Sequence, residues 1–295
     1  MGTVRATAAL TAFFALTVPL MPVQAMLVRV APKSARRFPH WYHRQVCRIL
    51  GITLLIEGAV DRDLPVLLVC NHTSWLDIPV LSALAPVSFV AKKEIGGWPF
   101  VSSLARLQQT VFVDRTRRLA AGDSADEISE RLARGDTIVL FAEGTSSDGN
   151  RVLPFKTSLF GAVMGRGAAT PVSSNAAVAV QTAAVVYTHR RGLPVSRAER
   201  SSLAWYGDMD MQSHAWNVLK AGPLTVTIRV GAPVPLSSFA DRKELAIKTE
   251  REVRLVVHGI LRGRPEDRTL EPVDPDPEKR RALRSQPKAT SEKWT

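Results

Sequence analysis

The chain has 295 residues, of which 45% are hydrophobic, enough for one large α/β domain with appendages or for two small domains. Its formal net charge of +12 favours an anionic partner, which can be a membrane surface, an acidic protein or a nucleic acid. The two cysteines, Cys47 and Cys70, lie in apolar segments, and no Cys/His spacing fits a zinc site, so a reducing compartment or indifference to redox state is the simplest interpretation.

The N-terminal region has no acidic residue before Glu57 and contains the longest apolar run of the chain, Ala6 to Val28. A helix needs roughly 20 residues to cross a bilayer, so this run is long enough. Pro19 and Pro22 favour a kinked, re-entrant or interfacial segment over a straight span. A cleaved signal peptide is the alternative, because a basic residue precedes the run and a small-residue site lies within it.

The residues after the apolar run favour an uncleaved anchor. The stretch is basic and contains Trp41 and Tyr42, which is typical of the anionic cytoplasmic side of a membrane. From Phe38 to Leu50 apolar and basic residues interleave at helical spacing, which predicts an amphipathic helix on the membrane or beside the anchor. An ordinary surface helix fits the same pattern. Residues 1–50 are therefore predicted to form a membrane anchor and an amphipathic helix.

Strand and helix patterns alternate through residues 51–262 and predict an α/β domain with a mostly parallel central sheet flanked by helices. The predicted strands are Thr53–Gly58, Val66–Cys70, Pro86–Ala91, Thr110–Asp114, Thr137–Ala142, Ala179–Tyr187 and Leu224–Val230, with Leu203–Tyr206 as a further candidate. The predicted helices are Leu76–Leu84, Pro99–Gln108, Leu119–Arg134, Phe155–Val163, His214–Leu219 and Asp241–Arg262, with a loop over Gly165–Asn175. Residues 263–295 are rich in Pro, Glu, Lys and Arg and predict a disordered tail.

One predicted strand end combines an imidazole and a carboxylate. The buried run Val66–Cys70 is followed by His72 and, five residues later, by Asp77. Such turns at the carboxyl ends of strands collect catalytic groups in open α/β sheets. If a helix begins near Ser74, Asp77 lies in its first turn and can reach the ring of His72. This pairing suits a general base, although a surface or capping contact is an alternative.

Two further strand ends carry polar clusters: Asp114 with Arg115, and Glu143 to Gly149. The carboxyl ends of parallel strands lie along one edge of a sheet, so we expect these clusters to converge with His72 and Asp77. Such a site could deprotonate a hydroxyl and hold a polar or anionic head group. No activated nucleophile is evident, and the segment after Glu143 does not fit the Gly-x-Ser-x-Gly turn of serine hydrolases.

These segments resemble the motifs of the lysophospholipid (glycerolipid) acyltransferase family, in the same order and spacing. His72 to Asp77 fits its His-x4-Asp motif, and Val111 to Arg115 resembles its second motif. Phe141 to Thr145 looks like the third motif, and Val180 to Val186 stands in the place of the fourth. The resemblance covers Tyr42 to Leu261 and implies the glycerolipid acyltransferase fold with an N-terminal membrane anchor.

The resemblance implies that His72 is the general base that activates an acceptor hydroxyl, and that Asp77 orients it. The hydroxyl would attack the thioester of acyl carrier protein or coenzyme A directly, without an acyl-enzyme, a metal or a further cofactor. Lys92 stands where related enzymes often have a lysine that could stabilise an oxyanion, with a solvated lysine as the alternative. The residues implied to bind the acceptor are Arg115, Glu143, Gly144, Thr145 and Ser146.

Departures from the family pattern bear on the acceptor. Members that act on lysophosphatidic acid usually read Phe-Pro-Glu-Gly-Thr-Arg, whereas this chain has Ala142 and Ser146 in place of the Pro and the Arg. Loss of a guanidinium disfavours a phosphate head group. Three segments resemble the bacterial branch that acylates the phosphate-free lyso-ornithine lipid: Trp75–Leu81, Gly144–Arg151 and Trp205–Met209. Lyso-ornithine lipid and 1-acyl-glycerol-3-phosphate both remain open.

The expected protein is an acyltransferase of bacterial lipid synthesis at the cytoplasmic face of the inner membrane. Its expected partners are the membrane, a lysolipid, and acyl carrier protein or a coenzyme A thioester, and the basic surface suits anionic lipid and the acidic carrier protein. One alternative is a lipid or thioester hydrolase in which the same pair activates water. Another is a basic membrane- or nucleic-acid-binding protein, although no nucleic-acid-binding motif is recognised.

Overall fold

The computed structural model describes residues 2–98, 100–113, 118–164 and 178–263, and within these ranges it leaves out the side chains of residues 118–125 and 162. The helices are α1 (Gly2–Val30), α2 (Pro32–Leu50), α3 (Asp77–Leu84), α4 (Val101–Leu107), α5 (Arg118–Ala133), α6 (Thr157–Met164), α7 (Arg197–Leu203), α8 (Met211–Ala221) and α9 (Arg242–Arg262). The strands are β1 (Ile52–Glu57), β2 (Val66–Cys70), β3 (Ser88–Lys92), β4 (Val111–Val113), β5 (Thr137–Phe141), β6 (Ala179–Arg190), β7 (Leu193–Pro194), β8 (Leu224–Val230) and β9 (Val234–Pro235).

The strands of the described chain form one sheet with the order β1-β8-β6-β2-β5-β3-β4. From β6 to β4 all neighbours are parallel, whereas β8 pairs with β6 in antiparallel orientation. The short strands β7 and β9, which sequence patterns did not predict, also pair with β6. All five residues of the central strand β2 are buried, as expected for a continuous apolar run inside a parallel sheet. The predicted α/β class with a mostly parallel sheet is confirmed.

Helices cover both faces of the sheet and create two apolar cores. Successive side chains of a strand point to opposite faces, so Leu68 and Cys70 of β2 belong to one core and Leu67 and Val69 to the other. The first core includes residues of α1, α2, α3 and α8, and the second includes residues of α5, α6 and α9. The polar turn that follows β2 therefore lies at the edge of two packed layers.

The apolar helix α1 lies against the domain. The Arg5 guanidinium donates hydrogen bonds to the carbonyl oxygens of Leu50 (2.7 Å) and Leu219 (2.5 Å), in the last turns of α2 and α8, where a cation is favourable. Near the other end of α1, the Gln24 amide donates to the carbonyls of Ala35 and Leu107, both at 2.9 Å. The helix is therefore held to the domain near both ends.

Pro19 and Pro22 lie within the continuous helix α1, although they favoured a kink or a break. Both prolines are on the exposed face of the helix, so the carbonyl groups that lose an N–H partner are not buried in the protein. By length and composition, α1 is the one helix among the described residues that could cross a membrane. Its outer face exposes large apolar side chains, among them Val4, Phe14 and Met26.

The predicted strand Leu203–Tyr206 is wrong, since Leu203 ends α7 and residues 204–206 form a loop. A capping box starts α7: the Ser196 hydroxyl accepts from the Glu199 N–H, and the Glu199 carboxylate accepts from the Ser196 N–H. The capping box favours a helix, and this preference outweighs the tendency of the short apolar run at the end of α7 to form a strand. The predicted loop over residues 165–175 lies outside the described residues, as does the predicted tail beyond Gly263.

Candidate active site

Strand register brings His72 and Glu143 together. Cys70 at the end of β2 pairs with Phe141 at the end of β5, and these strands are parallel. His72 and Glu143, each two positions after a member of this pair, therefore lie next to each other just beyond the strand ends. The backbone N–H of His72 donates to Oε1 of Glu143 at 2.8 Å. Two strand ends separated by 71 residues thus form one turn structure.

Asp77 is the first residue of α3 and is fully buried. Its Oδ2 atom accepts hydrogen bonds from Nδ1 of His72 (2.8 Å) and from the backbone N–H groups of Thr73 (2.7 Å) and Ser74 (3.0 Å). Its Oδ1 atom accepts a hydrogen bond from the Tyr187 hydroxyl at 2.6 Å. Both oxygens of the carboxylate are therefore fixed in position by hydrogen-bond donors.

The His72 ring is oriented for proton transfer. Because a carboxylate can only accept, the contact with Asp77 places the ring proton on Nδ1 and leaves the lone pair on Nε2. No residue of the described chain hydrogen-bonds to Nε2, and the His72 side chain is 19% exposed. The ring stacks on Phe141 at 4.1 Å between centroids. A partly exposed basic nitrogen on a ring held from the other side has the geometry of a general base.

Two loops hold the carbonyl groups of the same turn. The His72 carbonyl accepts from the Ser147 N–H at 2.8 Å, and the Thr73 carbonyl accepts from the Trp205 N–H at 2.9 Å. The Ser146 hydroxyl in turn donates to the Trp205 carbonyl. The loops after β5 and after α7 therefore bind to each other and to the turn that carries His72.

Glu143 supports this turn with both of its carboxylate oxygens. Oε1 binds the His72 N–H, and Oε2 accepts from the Leu153 N–H at 2.8 Å. The residue is 1% exposed. Burial raises the pKa of Glu143 from 4.5 to about 8, and the two N–H donors oppose part of that rise. The carboxyl therefore acts on the backbone of the turn in this structure.

We expect Glu143→Gln to lower the free energy of unfolding by about 1–3 kcal/mol, because the new amide nitrogen would face a backbone N–H. The pKa of about 8 exceeds the unfolded value of 4.5, so the stability contributed by the carboxyl is complete below pH 4.5 and is lost as the pH rises through about 8. The difference between wild type and variant should therefore shrink as the pH rises. Urea unfolding in detergent between about pH 5 and 9 measures it. A difference that is absent, or that grows with pH, would contradict this assignment.

The remaining residues implied by sequence lie at different places along this edge. Gly144 has a φ of +70°, a conformation that favours glycine, and turns the chain from β5 towards Ser147. Thr145 is exposed beside it, and Lys92 is the exposed last residue of β3. Arg115 lies outside the described residues. The structure thus brings His72, Asp77, Glu143 and the loop of Ser146 together, and it leaves Lys92 on the strand next to β5.

Tyr187, which contacts the turn, had no signal in the local sequence, whereas Asn71 belongs to the polar segment that follows β2 and only its partner could not be predicted. Tyr187 lies 110 residues from Asp77 and meets it only because β6 is the neighbour of β2 and extends beyond it. The Asn71 side chain exchanges two hydrogen bonds with the backbone of Val185, at 2.9 and 2.8 Å, and so extends the β2–β6 ladder. Within the described ranges, no group of three or more His, Cys, Asp or Glu residues could hold a metal ion.

Comparisons with known proteins place the site in a family. The Acyltransferase family model matches residues 53–176, which include the turn and the loop after β5. The lyso-ornithine lipid O-acyltransferase of Brucella abortus is 43% identical over 263 residues, which cover 89% of this chain and 97% of that protein. The 1-acyl-sn-glycerol-3-phosphate acyltransferase of Neisseria meningitidis is 31% identical over 77% of this chain and 83% of its own length.

The fold also matches a solved structure. The crystal structure of the 1-acyl-sn-glycerophosphate acyltransferase of Thermotoga maritima superposes with a TM-score of 0.62 at 21% identity, over 88% of this chain and 98% of that one. The structural match shows a shared fold, and the sequence match over nearly the whole length of a relative shows common descent. The chain belongs to the acyltransferase family, and it is an acyltransferase.

Proposed function

We propose that the protein is a membrane-bound O-acyltransferase that moves a fatty acyl group from a thioester donor to the free hydroxyl of a lysolipid. The observation that carries the proposal is the His72–Asp77 pair, with Nδ1 bound to a buried carboxylate and Nε2 left for a substrate. Acyl carrier protein and coenzyme A are the proposed donors. No side chain in the turn is activated as a nucleophile, which favours direct transfer.

In the proposed reaction, Nε2 of His72 takes the proton of the acceptor hydroxyl while its oxygen attacks the thioester carbonyl carbon. The carbon–sulfur bond then breaks, and the thiolate leaves with the proton that His72 returns. Asp77 stabilises the imidazolium between these two steps and keeps the ring in one tautomer. An ester and a free thiol are the products, so neither an oxidant nor a metal is needed for the balance.

We propose that Lys92 stabilises the oxyanion and that the head group of the acceptor lies against the residues after β4 and β5. Gly144 and Thr145 belong to this proposed surface, as does Arg115. Glu143 was also expected to contact the acceptor, but both of its oxygens are bound to backbone N–H groups. We therefore assign Glu143 the task of holding the turn of His72.

The proposed acceptor is lyso-ornithine lipid. The relative with that name is 43% identical, against 31% for the glycerol-3-phosphate relative. Ser146 stands where members that act on lysophosphatidic acid have an arginine, and its hydroxyl binds the Trp205 carbonyl. This position therefore presents no guanidinium to a phosphate, which suits a zwitterionic head group.

The N-terminal helices support a site at the cytoplasmic face of the bacterial inner membrane. The inner face of α1 binds the domain through Arg5 and Gln24, which favours a retained helix whose apolar outer face enters the lipid interface. Five of the exposed residues of α2 form a stripe at helical spacing, and helices α1 and α2 contain no acidic residue. A basic stripe with one tryptophan suits an anionic membrane surface. The stripe consists of Lys33, Arg37, Trp41, Arg44 and Arg48.

The function is tested with the purified full-length protein in detergent micelles. Acyl carrier protein thioesters and coenzyme A thioesters are offered with lyso-ornithine lipid or with lysophosphatidate, and the lipid products are separated by mass. We expect acylated ornithine lipid as the main product. Acylation of lysophosphatidate alone would contradict the proposed acceptor, and release of free fatty acid without acylated lipid would indicate a hydrolase instead.

A further inference from the structure

We propose that Tyr187 is a positioning residue for acyl transfer, whose hydroxyl holds Asp77 in the orientation that aligns His72. The inference rests on the proposed role of His72 as general base. Tyr187 lies outside the His-x4-Asp segment and was not among the residues that the sequence pointed to. It would act through Asp77 and make no contact with the acyl donor or the acceptor.

The two oxygens of Asp77 have unequal numbers of partners. Oδ2 accepts three hydrogen bonds, all from residues 72–74 of its own turn. Among the residues that the structure describes, Oδ1 has one hydrogen-bond partner, the Tyr187 hydroxyl at 2.6 Å. A hydroxyl–carboxylate bond of this length is charge-assisted and stronger than a neutral one. Without it, Oδ2 would keep its three donors, but Oδ1 would be a buried acceptor without a partner, and the plane of the carboxylate would be fixed from one side only.

The fold places the Tyr187 ring rigidly. Strand β6 continues to Arg190, whereas its neighbour β2 ends at Cys70, which pairs with Ala183. Tyr187 therefore lies four residues beyond the last pair, on the part of β6 that extends past β2. The ring is 3% exposed and belongs to the same apolar core as α3. The two hydrogen bonds between Asn71 and Val185 fix the spacing of the two strands just before this point.

The surroundings keep the Tyr187 hydroxyl a donor. Burial and the charge of Asp77 raise the pKa of Tyr187 well above its ordinary value, so the phenol remains protonated. The other titratable groups that act on this pair are His72, Glu143 and the thiols of Cys47 and Cys70. Burial raises the pKa of both thiols, so they stay neutral. The charge on Asp77 is thus shared between a phenol on one side and the imidazole on the other.

Removal of the Tyr187 hydroxyl is expected to move the acid limb of the kcat/KM profile in a definite direction. In Tyr187→Phe the carboxylate loses one donor, so its remaining charge attracts the imidazolium of His72 more strongly. His72 then keeps its proton to a higher pH and is a base over a narrower range. We expect the acid limb of the kcat/KM profile to move to higher pH. We also expect kcat/KM on the alkaline plateau to fall by about 10-fold, with KM for the donor little changed, which is the effect of losing one hydrogen bond to a charged group.

The experiment compares full-length wild type, Tyr187→Phe and Thr188→Val in detergent micelles, with acyl donor and lysolipid. Thr188, the next residue of β6, is the matched control. Its hydroxyl binds the Thr225 carbonyl and the Thr227 hydroxyl of β8 and does not touch Asp77. ¹³C NMR of labelled histidine provides a second measurement that does not depend on turnover. The His72 signal among the six histidines is identified by its loss in His72→Ala, and its titration midpoint should rise in Tyr187→Phe.

A shift of both the acid limb and the NMR midpoint in Tyr187→Phe, with neither shift in Thr188→Val, supports the positioning role. An unshifted limb and midpoint in Tyr187→Phe overturn it, even if the variant is less stable, because a role in packing alone would not move a titration. The same shift in both variants also overturns it. If His72→Ala retains full activity, the general-base proposal itself fails, whereas an inactive His72→Ala with a normal Tyr187→Phe removes only the inference about Tyr187.

Discussion

Replacement of His72 with alanine is expected to lower kcat/KM for acyl transfer by about 10²–10⁴-fold, the usual contribution of a general base. The variant keeps the hydrogen bonds of the turn, since the backbone N–H and carbonyl of residue 72 still bind Glu143 and Ser147. The loss should therefore appear in turnover and not in folding. Initial rates with saturating acyl donor and a range of acceptor concentrations measure it.

The matched control for this substitution is His258→Ala. His258 is a half-buried histidine of α9 and lies outside the turn. The substitution His258→Ala removes the same kind of side chain and is expected to leave the rate within about twofold of wild type, as most substitutions away from a site do. Equal losses in both variants, or full activity in His72→Ala, would contradict the assignment of the base.

Asp77→Asn is expected to be nearly as damaging, with a loss of about 10²–10⁴-fold in kcat/KM. Oδ2 accepts three N–H donors, and an amide nitrogen in that place would oppose them. If the amide rotates to present its oxygen there, its nitrogen replaces Oδ1 opposite the Tyr187 hydroxyl. Either orientation disturbs the buried network, so unfolding should also be easier by about 1–3 kcal/mol.

The pH dependence separates lost chemistry from lost stability in this variant. Asparagine carries no charge, so the imidazolium of His72 loses its stabilising partner and the acid limb of kcat/KM should move to lower pH. That shift is opposite to the one expected for Tyr187→Phe. The control is Asp136→Asn, which removes another buried carboxylate, bound to Arg36 and Arg131. It should lower stability without shifting the limb, and a shift in this control would count against the interpretation.

The local structure of residues 66–84 was predicted from the order of apolar and polar residues in that segment. A buried strand, a polar turn and a helix start follow one another, and the side chains of His72 and Asp77 are five positions apart. An apolar run reports burial, and a helix that starts just after the turn brings the second side chain back to the first. The parallel arrangement of β2 and β5 also followed from alternation of strands and helices, and it brought Glu143 to the same edge.

The orientation of the side chains at that edge was not predicted, because it is determined by packing against neighbouring loops. Glu143 was expected to face an acceptor, yet both oxygens bind backbone N–H groups, because a buried turn must satisfy its own polar groups. The Ser146 hydroxyl likewise binds the loop that contains Trp205. That loop was expected to be a strand, because a short apolar run does not reveal whether it pairs with a sheet or covers a turn.

Contacts between distant segments had no counterpart in local pattern. Tyr187 reaches Asp77 across 110 residues, and Arg5 reaches the ends of α2 and α8, through spacings that are set by strand order and helix packing. The chain order of residues encodes which face of each element is apolar, and this was enough to predict the sheet and the His72–Asp77 pair. Local pattern does not reveal which elements become neighbours, because that choice depends on how all the apolar faces are buried together. The partners of Asp77 beyond its own turn, and the contacts of α1, arise from that collective packing.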